Sequence, residues 1–476
     1  MTATSGQPSH LSSSASHDIA ETPAGRIDEL LGLQHRFFSE GHTRSVAYRQ
    51  QALERLGQAI TRRREVIAAA LRQDLRKSYE ESYLTEISIV QQEIQLHRRQ
   101  LPGWMKPRRA AVPVHLLPST ASVHYQPLGT TLIIAPWNYP FQLVLNPLIG
   151  AVSAGNTAIL KPSPDAPATA RVVEELVGEV FDPGHVTVVQ GGRPTNEILL
   201  SRRFDLIFFT GSSAVGKVVM KAASQHLTPV VLELGGKSPC IVDRSADIEV
   251  AARRIAWGKT INAGQTCIAP DYALVHADVK TDFVDQFTRA VREMHGDDPR
   301  HSDHYGRMVH EAAFDRVSGY LGQGTVRFGG QTDRTDRYIA PTLLDEVDPD
   351  APVMQDEIFG PVLPVLPFDH LDEAIAFVNA REKPLALYYF GEADRGEALL
   401  ERTSSGGGCI NDTIMHIANH YLPFGGVGNS GMGRYHGKDS FLAFSHQRSV
   451  MTTPTLVDLA FRYPPFKYFD VIRRLV

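Results

Sequence analysis

Thr130-Thr131-Leu132-Ile133-Ile134-Ala135, closing on Pro136-Trp137-Asn138-Tyr139-Pro140, is the stretch that decides the fold. An apolar run of this length, stopped by proline, predicts a strand buried on both faces, as in a parallel sheet. An apolar helix over 143–151 follows, then a strand at Thr157-Ala158-Ile159-Leu160-Lys161-Pro162, a helix over 169–181 and a strand at Val186-Thr187-Val188-Val189. A helical piece over 197–200, a strand at Leu206-Ile207-Phe208-Phe209 and a helix over 214–223 extend the series. Strand and helix alternating at this spacing predict an α/β fold with helices on both faces of a parallel sheet. Such sheets bind ligands at the carboxyl ends of their strands. Trp137, Asn138, Lys161, Thr210, Gly211 and Ser212 fall there.

Working outward, Val230-Val231-Leu232-Glu233-Leu234-Gly235-Gly236-Lys237 reads as a short buried strand that breaks at a double glycine, with a carboxylate near its end. A second βα series follows. It has strands at Cys240-Ile241-Val242, Tyr272-Ala273-Leu274-Val275 and 359–365, the last entered from Asp356-Glu357, with helices over 246–262 and 280–294. Two α/β domains with a cleft between them are expected. Upstream, Leu30, Leu31, Leu33, Leu53, Leu56, Ile60, Ile67 and Leu71 recur at helical spacing, which predicts long amphipathic helices against the side of a sheet. Pro102, Pro107, Pro113 and Pro118 then break helix formation, and 120–125 reads as an edge strand or an arm reaching another subunit.

The 476 residues are 42% hydrophobic and 21% charged, as in ordinary soluble globular proteins. A net charge of −5 offers no basic field for nucleic acid. Cys240, Cys267 and Cys409 cannot form a paired disulfide framework and suit a reducing compartment. No C-x-x-C or H-E-x-x-H occurs despite 19 histidines, so no metal site is expected. Residues 1–25, rich in Ser, Ala, Thr and Pro, read as a disordered tail without a signal-peptide core. No apolar run approaches the ~20 residues that span a bilayer, and the charged 456–476 stretch does not read as a membrane anchor.

Several residues invite chemistry. Cys267, behind Gly264-Gln265-Thr266, is a candidate nucleophile or a buried small hydrophobe. Glu233 is a candidate base or a strand-end ion pair. Asn138 can cap the following helix or donate to an oxyanion. Lys161 is a surface lysine or a donor to a ribose or phosphate. Glu357 and Phe359 read as a turn and a core aromatic. Gly211-Ser212-Ser213-Ala214-Val215-Gly216-Lys217 has the spacing of a phosphate loop, but Val218 stands where Ser or Thr would hold magnesium, which argues against a kinase or ATPase. The amides of a helix N-terminus there suit a dinucleotide pyrophosphate instead.

Taken together, Pro136-Trp137-Asn138, Lys161-Pro162-Ser163, Phe209-Thr210-Gly211-Ser212, Glu233-Leu234-Gly235-Gly236-Lys237-Ser238-Pro239, Gly264-Gln265-Thr266-Cys267 and Glu357-Ile358-Phe359-Gly360-Pro361 occur in an order that resembles the aldehyde dehydrogenases. Residues 423–433 with Tyr435-His436-Gly437-Lys438 resemble the class 3 branch. The resemblance spans about 26–468. It implies two Rossmann-like parallel-sheet domains: a cofactor-binding domain over 26–115 and 128–232, and a catalytic domain over 233–425. A small oligomerisation arm over 116–127 and 440–455 and a C-terminal tail over 456–476 complete the chain.

The resemblance also implies oxidation of an aldehyde to a carboxylate with NAD or NADP. Cys267 would be the nucleophile, Glu233 the base for hydrolysis, and Asn138 with the Cys267 N–H the oxyanion donors. Trp137, Lys161, Ser163, Gly211, Ser212, Gly216, Glu357 and Phe359 would meet the cofactor. Medium- or long-chain aliphatic or aromatic aldehydes, a homodimer and an approach tunnel lined by Tyr83 and His436 follow from the same branch; some relatives carry a C-terminal membrane anchor, and since 456–476 does not read as one, a cytoplasmic location is expected. Where the family often has Lys-Pro-Ser-Glu, this chain has Pro164, with Asp165 next. Loss of that carboxylate predicts that both cofactors work, unless Asp165 replaces it. The alternatives are a CoA-acylating relative, against which Glu233 argues, and a non-catalytic protein retaining the fold.

Overall fold

The computed structural model describes residues 19–456, 458, 462–466 and 469–473. Of the tail expected over 1–25, residues 1–18 lie outside the described residues; a helix begins at Ala24. Six strands form the first sheet, in the order Gly431–Met432, Val230–Leu234, Leu206–Gly211, Thr130–Ile134, Thr157–Lys161 and Val186–Val188. All pair in parallel except the returning Gly431–Met432. Chain order runs one way from Thr130–Ile134 and the other way through Leu206–Gly211, so the topological switch lies between these two strands, where such sheets bind ligands.

Alternation along the strands separates two covers. Ile133, Ala158, Leu160 and Phe208 join one core with Leu53, Leu56, Val144, Leu148 and Val173 from helices Val46–Leu75, Gln142–Ala154 and Pro167–Val180. Leu132, Ile134, Ile159, Ile207, Phe209, Leu232 and Leu234 face the other way, onto Ile27, Leu30, Leu199 and Val219 from helices Ala24–Ser39, Arg193–Leu200 and Ser213–Ala223. This period of two is why the strands read as continuous apolar runs.

The second sheet has seven strands, in the order Thr325–Phe328, Thr342–Asp345, Val362–Phe368, Tyr272–His276, Pro239–Val242, Ala386–Phe390 and Gly407–Ile410. All are parallel except the first, at an edge. The strand expected from residue 359 begins only at Val362, because Phe359 is left-handed (φ 47°). The break expected at Pro102 does not occur there. Helix Ser88–Trp104 carries this proline in its last turn, close to where the helix ends anyway. A three-stranded antiparallel arm joins Arg108–Ala110, Thr120–Pro127 and Ser445–Thr452, in register from Ser445 opposite Pro127 to Thr452 opposite Thr120.

Candidate active site

Four distant segments converge at the carboxyl edge of the two sheets. Helix Ile248–Thr260 ends in a sharp reversal, with Asn262, Ala263 and Gly264 all left-handed (φ 49°, 51° and 73°). Strain of this kind at non-glycine residues persists only where surroundings enforce it. Here Gln265, fully buried, does so. Its amide donates to the Asn262 and Arg307 carbonyls (3.0 and 2.9 Å), and its Oε1 accepts from the Val309 N–H at 2.9 Å. The reversal presents Cys267, half-buried, with its own N–H and that of Ile268 directed at the sulfur. A side chain at Gly264 would strike the Gly360 carbonyl, so the cysteine loop is seated on the segment that carries Glu357 and Phe359.

Asn138 does not cap the next helix. Glu86 does that work, accepting from the Phe141 and Gln142 N–H groups at 2.8 and 3.2 Å. Lys77, buried with Glu86 and 2.5 Å from it, also donates to the Asn138 carbonyl at 3.1 Å, and the Asn262 amide donates to the same carbonyl at 2.8 Å. The Asn138 side-chain amide donates one N–H to the Gln265 carbonyl at 3.1 Å, which leaves its second N–H for a ligand. The Tyr139 hydroxyl bonds Thr266 at 2.6 Å. Asn138 and Cys267 are thus fixed to one another through backbone. Lys77, Glu86 and Asn262 carry no signal in the sequence, because partners such as the Asn138 carbonyl and the Phe141 N–H lie on other elements.

Glu233 lies in strand Val230–Leu234, opposite Thr210 on one side and Gly431 on the other. It is 3% exposed, and neither carboxylate oxygen has a partner. Burial raises its carboxyl well above the ordinary value. The Cys267 thiol is pushed up by burial, then by the Glu357 and Glu233 carboxylates, while the two N–H groups at the sulfur oppose the shift. Burial and Asp271 raise Glu357 to about 8, against the Gly236 N–H, Arg316 and Lys237. Lys237 ties this region together, donating to Asp271 (2.6 Å) and to the Val353 and Asp356 carbonyls (2.7 and 3.0 Å).

A nicotinamide dinucleotide fits these residues. Glu233, one Glu357 oxygen, the Thr210 hydroxyl and the Asn138 Oδ1 are buried polar atoms without partners, which a bound polar molecule would satisfy. A side chain at Gly235 would overlap the Glu357 carboxylate, so the backbone there stays open to a close approach. Trp137 stands edge-on to Phe359 (5.3 Å, 89°), giving one aromatic wall. Gly211 and exposed Ser212 precede helix Ser213–Ala223, where the Ser212 hydroxyl accepts from the Val215 N–H at 3.4 Å. Gly216 faces Leu234, where a side chain would come within 2.7 Å, so this glycine serves close packing of helix on strand.

Lys161 is 1% exposed, donates to the Pro162 carbonyl at 2.8 Å, and is lowered by burial to about 8 despite Glu21 and Asp165. Ser163, also buried, accepts from the Asp165 N–H at 3.2 Å. Of the two tunnel candidates, His436 is buried and stacked on Phe424 (5.2 Å), whereas Tyr83 lies at the surface stacked on Tyr79.

Residues 11–450 match the model of the aldehyde dehydrogenase family. The chain is 48% identical over 434 residues to the 4,4'-diaponeurosporen-aldehyde dehydrogenase of Staphylococcus aureus, covering 90% of this chain and 95% of that one. It is 47% identical over 431 residues to the dimeric, NADP-preferring aldehyde dehydrogenase of Rattus norvegicus, with the same coverage. The substrate-bound Staphylococcus aureus AldH structure superposes with a TM-score of 0.92 at 46% identity, over 94% of this chain and 99% of that one. An indole-3-acetaldehyde dehydrogenase complexed with NAD+ gives 0.84 at 26% identity, over 91% and 90%. The chain belongs to the aldehyde dehydrogenase family, and is an oxidoreductase that uses NAD or NADP to oxidise aldehydes.

Proposed function

We propose that the chain converts medium- or long-chain aliphatic or aromatic aldehydes to carboxylic acids through a thiohemiacetal and a thioester on Cys267, with water as the final nucleophile. The observation that carries this reading is Glu233: a buried carboxylate with no partner on either oxygen, close enough to Cys267 to raise its thiol. A carboxylate kept dry and unpaired beside a nucleophile is suited to take a proton from water at one stage of a reaction. In a CoA-acylating relative that stage is absent.

With the Cys267 proton released to water, the thiolate attacks the aldehyde carbon, forming a C–S bond and moving the carbonyl pair onto oxygen. The free N–H of Asn138 and the Cys267 backbone N–H take up that charge. One such donor is worth about 3 kcal/mol at the transition state. Bound NAD or NADP supplies the acceptor for the aldehyde hydrogen as hydride. Lys161, Ser163, Gly211 and Ser212 are assigned to its adenosine and pyrophosphate parts, Gly216 to bringing the helix close, and Trp137, Glu357 and Phe359 to the nicotinamide end. When the thioester stands on Cys267, Glu233 removes a proton from water. The hydroxide adds to the acyl carbon, the C–S bond breaks, and the acid leaves with Cys267 restored.

The domain boundaries set out above belong to the same proposal. So does a homodimer, supported by edge strand Ser445–Thr452, whose outer side pairs with nothing among the described residues. A cytoplasmic enzyme is supported by three free cysteines; no helix among the described residues is long and apolar enough to cross a membrane.

The test is initial-rate cofactor reduction with octanal and benzaldehyde, NAD and NADP, without CoA, on wild type and Cys267→Ala. Turnover in wild type and none in the variant is expected. A strict requirement for CoA would instead select the acylating reading.

A further inference from the structure

Glu21 takes no part in the chemistry above, yet it is firmly held. Its carboxylate accepts from the Gly192 N–H (2.9 Å), the Thr195 N–H (3.2 Å) and the Thr195 hydroxyl (2.5 Å). Burial works against the charge, but these donors prevail and hold the carboxyl below its ordinary value. Thr22 fastens the same segment, donating its N–H to the Gln190 carbonyl (3.1 Å) and accepting the Gln190 N–H on its hydroxyl (3.1 Å).

This latch is set at the carboxyl edge of the cofactor sheet. Strand Val186–Val188 pairs in parallel with Thr157–Lys161, and the Val189 N–H still bonds the Leu160 carbonyl at 2.9 Å. Gln190 and Lys161 therefore end neighbouring strands, and the Glu21 carboxylate interacts with the buried Lys161 ammonium. A carboxylate delivered from far away in the sequence thus joins that of Asp165 in acting on Lys161 at the sheet edge, where Pro164 supplies none.

We propose that Glu21 is a specificity-determining residue: its carboxylate, held by the first turn of helix Arg193–Leu200 beside Lys161, disfavours a 2′-phosphorylated dinucleotide relative to NAD. The inference rests on the reading of Lys161 as the cation at the adenosine ribose. Two effects act in the same direction. The negative charge repels a phosphate dianion, and the carboxylate occupies the Gly192 and Thr195 donors, which suit an anion at a helix N-terminus. A ribose hydroxyl meets neither penalty.

The test is initial-rate kinetics with NAD and NADP on the full chain, comparing wild type, Glu21→Gln, Glu21→Asp and Lys161→Met across a salt series. Glu21→Gln is expected to lower the ratio KM(NADP)/KM(NAD) about fivefold to tenfold, the scale of one removed like charge. Glu21→Asp, which keeps the charge, should stay within about twofold of wild type. In wild type the ratio should fall as salt rises, because repulsion is what salt screens, and Glu21→Gln should lose that fall. An unchanged ratio in Glu21→Gln, with Lys161→Met weakening both cofactors, overturns the role of Glu21 and keeps that of Lys161. If Lys161→Met weakens neither, the reading of Lys161 fails and the inference with it. Should Glu21→Gln not fold, the wild-type salt series decides: a ratio that is flat or rises with salt overturns the proposal.

Discussion

Glu233→Gln separates the stability cost of a buried carboxylate from its chemical use. Glu233 is 3% exposed with both oxygens unpartnered, and burial holds its carboxyl well above the ordinary 4.5. Below that value the group is protonated in both the folded and unfolded chain, and ionisation costs nothing. As pH rises, the unfolded chain releases the proton while the folded chain keeps it, so stability falls until the raised folded value is passed. Glutamine does not titrate. The advantage of the variant should therefore open as pH rises above the ordinary 4.5 and reach about 1–3 kcal/mol, the scale of one buried polar group without a partner. With an unfolding entropy of about 2.1 cal/mol/K per residue, the 476 residues give about 1 kcal/mol/K, so the Tm gap should reach about 1–3 °C. Calorimetric melts of both proteins at four pH values, with kcat measured alongside, are the assay. A gap that does not widen with pH, or a variant less stable at pH 8, would mean that the buried Glu233 carboxyl carries no such cost.

Three further outcomes follow from the same geometry. Alkylation of Cys267 by iodoacetamide should climb about tenfold per pH unit through pH 9, because burial, Glu357 and Glu233 hold the thiol up; Glu357→Gln should move that profile to lower pH, and movement the other way would contradict the assignment. Lys77→Met strands Glu86 in a fully buried setting. It should cost about 3–5 kcal/mol in urea unfolding and lower kcat more than the aldehyde KM, since the Asn138 carbonyl loses a donor. Gly235→Ala drives a methyl group into the Glu357 carboxylate, and should cost about 1–3 kcal/mol while raising the cofactor KM about tenfold, read by fluorescence titration and initial rates.

What was legible in the sequence follows physical lines. Strands such as Thr130–Ile134 and Leu206–Gly211 are buried on both faces and announce themselves as unbroken apolar runs. Gly407–Ile410 and Thr342–Asp345 are strands by pairing alone, with glycines or polar ends that carry no β signal of their own. Phe359 reads as the start of a strand but turns left-handed, in the segment set against the cysteine loop. Glu233 and Asn138 stand out because each lies at a break in an apolar run, and Cys267 because it is one of three cysteines and follows a turn-forming Gly264. The Lys77–Glu86 pair and the Glu21 latch left no trace, since their contacts with Asn138 and Thr195 cross 61 and 174 positions. Asn138 allows two readings from sequence, and Glu86, bonded to the helix amides that Asn138 would have capped, removes one of them.

The central claim is that an acyl group rests on Cys267 until Glu233 brings water to it. Peptide mass mapping of Glu233→Gln, mixed with benzaldehyde and NAD or NADP, tests this most directly. A benzoyl group is expected to accumulate on the peptide that carries Cys267, in amounts matching the first turnover of cofactor. Reduced cofactor with Cys267 unmodified and Glu233→Gln turning over freely, or the acyl group on another residue, would contradict it.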